Sequence, residues 1–121
     1  MVIVTWISRG RDGWCSLDKV DLRRLRTTGV YIVWYLGNPG RVVRLGQGDI
    51  ATELAALQAD KKTLSYMAKG DLLVTWAEVS PQRIDGIERY LAETWPPLIP
   101  GASRDAAPIE VNSPGLMYAF V

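Results

Sequence analysis

The apolar positions of this chain change period several times, and each change marks an element. Residues 30–36 run Val-Tyr-Ile-Val-Trp-Tyr-Leu, β-branched and aromatic throughout. Strand alternation sets Tyr31, Val33 and Tyr35 on one face and Ile32 and Trp34 on the other. Gly37-Asn38-Pro39-Gly40 then reads as a tight turn and Arg41 to Leu45 as the returning strand, ended by Gly46-Gln47-Gly48. Asp49 reads as the N-cap of a helix reaching about Asp60, with Ile50, Leu54 and Leu57 as its apolar stripe and Lys61 and Lys62 near its C-terminus. Leu72 to Val79 reads as a further strand. Ser80-Pro81 opens a second long helix with Ile84, Ile87 and Leu91 on its inner face, stopped by Pro96-Pro97.

The flanks read less sharply. Met1 to Ile7 predicts a short strand, followed by a turn at Gly10, Asp12 and Gly13. Ser16 as an N-cap predicts a helix from Leu17 to about Arg26, with Leu17, Val20, Leu22 and Leu25 inward and Lys19, Arg23 and Arg26 sharing one face near Arg9 and Arg11. A short strand is expected over Leu116 to Val121. The chain contains no repeat or linker. The elements predict one small α+β domain over residues 1–121, a three-stranded, mainly antiparallel sheet flanked by helices.

Composition narrows the chemistry. The chain has 121 residues, 48% hydrophobic and 22% charged, with 14 Lys+Arg against 13 Asp+Glu, one cysteine and no histidine. A Ser-His-Asp triad, a Cys-His pair and a His-ligated zinc site are therefore excluded. A single cysteine forms no internal disulfide, and Cys15 reads as a small buried hydrophobe. Catalysis would have to run on Tyr, Glu, Asp, Lys or Arg, or on a hard cation held by carboxylates. The net charge of +1 gives no overall pull toward nucleic acid. Residues 1–7 are too short for a membrane span, so no membrane association is expected and the cytoplasm is the expected location. Among the tryptophans, Trp34 and Trp76 are expected in the core. Trp6 and Trp14, beside basic residues, are open to either packing or stacking on a partner.

Glu88 stands four residues after Ile84 and three before Leu91, which puts its carboxylate on the inward face of its helix. A carboxylate there needs an ion-pair partner such as Arg44, backbone donors, a metal, or a pocket edge.

Gly29-Val30-Tyr31 on the first strand, Leu45-Gly46-Gln47 at the end of the second, Glu88 on the later helix, then Pro96 and Asn112, come in one order over residues 29–114. In this order the chain resembles the GIY-YIG nuclease superfamily. The resemblance implies a GIY-YIG-like α+β domain and metal-dependent hydrolysis of DNA phosphodiesters. It implies Tyr31 as general base or orienter of the attacking water, and Glu88 as ligand of a Mg2+ or Mn2+ ion. Arg44, which stands where the family has its second tyrosine, is expected to stabilise the phosphate. Gln47, Lys61, Lys62 and Asn112 are expected to bind nucleic acid. Two departures accompany the match. Glu53 occupies the helix position at which the family has an arginine, and the family's frequent histidine is missing. If the alignment holds, Glu53 should share a cleft with Tyr31 and Glu88. The alternative is a catalytically inactive module of the same fold that binds nucleic acid or protein. In either case a protein partner or homodimerisation is expected to supply site specificity.

Overall fold

The structure is a computed structural model describing residues 1–8, 13–37, 39–102 and 105–115. The expected strands at residues 30–36 and 41–45 form a hairpin longer than its sequence signal. They are β2, Thr28–Tyr35, and β3, Arg41–Asp49. Both extend through their glycines, so Gly46-Gln47-Gly48 lies within β3 and faces β2, with Tyr31 opposite Gly46 and Val30 opposite Gln47. The register shifts between Val33 and Trp34, which leaves Val43 as an extra residue in β3.

On its other side β2 pairs antiparallel with β4, Leu72–Glu78. β4 in turn pairs with β1, Cys15–Ser16. The sheet is therefore four-stranded and antiparallel, in the order β1-β4-β2-β3, not three-stranded. The added strand comes from a segment expected to cap a helix. Among the described residues 17–27 no helix forms, because Asp21 Oδ1 accepts the backbone N–H of Arg23 at 3.0 Å and so competes with helical pairing.

Among the described residues there are three helices, of which α1 and α3 pack on the sheet. α1, Ile50–Gln58, starts where expected, with the Asp49 carboxylate accepting from Thr52 N. It stops two residues early. Asp60 caps a new short helix, α2 at Lys61–Leu64, so Lys61 and Lys62 begin a helix instead of ending one. A 3₁₀ turn over Ser65–Ala68 follows. α3, Ile84–Thr94, begins one turn later than Ser80-Pro81 suggested, since residues 81–83 form a turn.

Both faces of the sheet are buried. Tyr31, Val33 and Tyr35 pack with Leu54 and Leu57 of α1. Val30, Ile32 and Trp34 pack with Ile87 and Leu91 of α3. This is the alternation read from the sequence, and it makes β2 the shared wall of two apolar layers. Trp34 and Trp76 are buried, while Trp6 and Trp14 are half-buried against the α3 layer.

Residues 1–7 form no regular strand; they are tied by a parallel bridge between Val2 and Val111 and by Ile7 N donating to Trp76 O at 2.9 Å. The backbone of Val4 is held by a side chain instead: Val4 N donates to Asn112 Oδ1 at 2.7 Å, and Asn112 Nδ2 donates to Val4 O at 3.0 Å. The turn expected at Gly10 and Asp12, the cations Arg9 and Arg11, the hairpin residue Asn38 and the strand expected over Leu116 to Val121 lie outside the described residues. No helix among the described residues is long and apolar enough to cross a membrane.

Candidate functional site

Tyr31 is delivered by the central strand β2, and its ring lies across Gly46 of the edge strand. A methyl group at Gly46 would fall on the Tyr31 hydroxyl and on its ring carbons. Glycine is therefore required there by the tyrosine opposite. Two residues on, Gly48 has φ of +136°, and Glu53 from the first turn of α1 packs against it.

Charge from three elements acts on the phenol. Burial raises the Tyr31 pKa most, to about 12. Glu53 and Glu88 raise it further, and Arg44 opposes them. Glu53, Glu88 and Arg44 are thus each near enough to bear on the Tyr31 phenol. At neutral pH Tyr31 is a phenol and a hydrogen-bond donor.

Glu88 reaches this neighbourhood from the opposite face of the sheet. It is 6% exposed on α3, and its partner is not Arg44. Gln47 Nε2 donates to Glu88 Oε2 at 2.9 Å and to Asp85 Oδ1 at 2.7 Å. One amide therefore bridges two carboxylates standing i and i+3 on one face of α3. Asp85 was not singled out in the sequence, though its spacing from Glu88 is the signal that finds it. Beside Glu88 a cleft of about 270 Å³ opens between Leu45, Ala92, Pro97 and Pro100.

Arg44 is occupied. Its Nη2 donates to Asp60 Oδ2 at 3.1 Å, and its Nε to Thr63 Oγ1 at 3.3 Å. Asp60 also accepts from the backbone N–H and the hydroxyl of Thr63. These donors hold the Asp60 carboxyl below its ordinary range, Thr63 first. Lys61 and Lys62 are exposed just beyond this pair. Asn112 spends its side chain on Val4 and is not brought to Tyr31 or Glu88.

Among the described residues no group of three or more Asp, Glu, Cys or His converges as a cation cage. The oxygen donors of Glu88 and Asp85, adjoining on one amide, still fit a hard divalent cation of the kind that takes one or two carboxylates and completes its shell with water and phosphate. No protein-family model, curated protein or solved structure matches the chain.

Proposed function

We propose that this protein is a GIY-YIG-like endonuclease that hydrolyses DNA phosphodiesters with a divalent cation, acting in the cytoplasm. One observation carries the reading: the Gln47 amide holds Asp85 and Glu88 together at 2.7 and 2.9 Å, one residue along β3 from the Gly46 over which the Tyr31 hydroxyl lies. Glu88, with Asp85 beside it, would hold the Mg2+ or Mn2+ ion, which when bound supplies charge neutralisation at the phosphate and acidifies a bound water. The protein's own residues do the positioning. Gln47 fixes both carboxylates by donating to each. Tyr31, protonated at rest, donates its hydrogen bond toward the water or phosphate oxygen and holds it in line. Arg44, anchored on Asp60, contributes a fixed positive field at the phenol.

A second reading has its own observation. Glu53 stands against Gly48 and adds negative charge at Tyr31, where the resemblance calls for an arginine. Removing one preorganised donor typically costs ~10²–10³-fold in rate. The same fold would then serve as an inactive DNA- or protein-binding module.

Supercoiled-plasmid nicking with Mg2+ and with Mn2+ separates the two. The wild type is expected to nick, Glu88→Gln to fall to background, and Tyr31→Phe to lose ~10²-fold or more. Equal rates in wild type and Glu88→Gln would sink the nuclease reading. DNA binding that persists without nicking would favour the inactive module.

A further inference from the structure

Residues 17–27, expected to be a helix, instead form an irregular strap along α1. The strap is fastened at both ends. Gln58, the last residue of α1, donates to Leu17 O at 2.8 Å and to Val20 O at 3.4 Å. At the other end Ile50 N, the first residue of α1, donates to Thr27 O at 2.9 Å. The strap therefore runs antiparallel to the helix over its whole length, about 13 Å at 1.5 Å per residue. Its apolar residues Val20, Leu22 and Leu25 pack onto the α1 layer. Its charged residues, Asp18, Lys19, Asp21, Arg23, Arg24 and Arg26, are all exposed.

The charge balance of the two segments is opposite. From Asp49 to Asp60 the helix and its caps carry three acids and no cation, whereas the strap carries four cations against two acids. Arg23 is taken up by Asp21, donating to both carboxylate oxygens at 3.1 and 2.9 Å. Arg24 has no ion-pair partner among the described residues. Arg26 donates to carbonyls of the strap itself, at 3.1 Å to Leu25 O and 3.4 Å to Arg23 O. The register opposite Thr28–Asp49 brings it beside the N-terminal turn of α1, the turn that holds Glu53 against Gly48.

We infer that this strap is the phosphate-contacting track of the protein, with Arg24 and Arg26 gripping the backbone of a nucleic acid and supplying the cations that α1 lacks. The ligand class rests on the nuclease reading, but the surface can be tested apart from cleavage. Two arginine contacts should release about two counterions.

The test is fluorescence anisotropy of a labelled 25-bp duplex across a salt series from 50 to 200 mM. It compares the wild type, Arg24→Ala/Arg26→Ala, and Lys69→Ala as a cation at the opposite end of the sheet. The strap variant is expected to flatten the log–log salt slope by about two units and to weaken binding at 50 mM, with its melting temperature nearly unchanged because the bonds it loses, from Arg26 to Leu25 O and Arg23 O, are solvent-exposed. Lys69→Ala should leave the slope unchanged. An unchanged slope in the strap variant, an equal loss in Lys69→Ala, or strap-dependent binding of phosphatidylserine vesicles without DNA binding would each overturn the inference. The two readings fail separately. Absent nicking with an arginine-dependent slope removes the nuclease and keeps the track, whereas nicking with an arginine-independent slope does the reverse.

Discussion

The Tyr31 hydroxyl is kept protonated by burial first, and then by the carboxylates of Glu53 and Glu88 against the pull of Arg44. This has a consequence for stability. A tyrosine whose folded pKa is raised from 10.0 to about 12 favours the fold below pH 10. That contribution is lost as the pH climbs through the folded value, because only the unfolded chain ionises freely in between. Urea midpoints measured between pH 9 and pH 12 should therefore show the wild type losing roughly 2–3 kcal/mol more than Tyr31→Phe. Parallel curves for the two proteins would mean that Tyr31 titrates as an ordinary surface tyrosine. At this scale the sequence was informative about identity. Tyr31 follows from the strand pattern and its motif, and Glu88 from its place between Ile84 and Leu91. The hydrogen bonds that fix Glu88 were not legible, because Gln47 meets Asp85 and Glu88 across 38 and 41 residues of chain, and no local period encodes such a meeting.

Elements decide which way the side chains point. Val43 and Arg44 are neighbours in β3, and simple alternation would send them to opposite faces. The extra residue at the bulge instead lets Val43 enter the α1 core while Arg44, opposite Val33, also lies on that face and reaches Asp60. The pair joins the edge strand to α2, whose N-terminus Asp60 caps. Asp60→Ala should remove the cap, free Arg44 and leave the buried Thr63 hydroxyl without its acceptor. The expected cost is about 1–3 kcal/mol, read as a lower urea midpoint with an unchanged slope. A shift below ~0.5 kcal/mol would show that α2 is held by packing alone. The strap illustrates the opposite outcome for sequence reading. Leu17, Val20, Leu22 and Leu25 looked helical by spacing, yet the Asp21 carboxylate takes a backbone donor that a helix would need.

At the scale of the whole molecule, one sheet serves two apolar layers. Leu54 belongs to the α1 layer and Ile87 to the α3 layer, both fully buried, and β2 contributes alternate side chains to each. Leu54→Ala and Ile87→Ala should each cost ~2–5 kcal/mol and lower a single transition seen alike by tryptophan fluorescence and far-UV circular dichroism. Two separated transitions in either variant would show that the layers fold independently. The sequence by itself determined the hairpin, α1 with its Asp49 cap, β4, the inner face of α3 and the two-faced burial of β2. These depend on local period, capping and turn chemistry, which act over a few residues. Only the tertiary structure decided the fourth strand, the strap, the Gln47 bridge between Asp85 and Glu88, and the anchoring of Arg44 on Asp60. Each of these is a contact between segments remote in the chain, or a backbone shift such as the bulge at Val43, whose energy exists only once the sheet has formed.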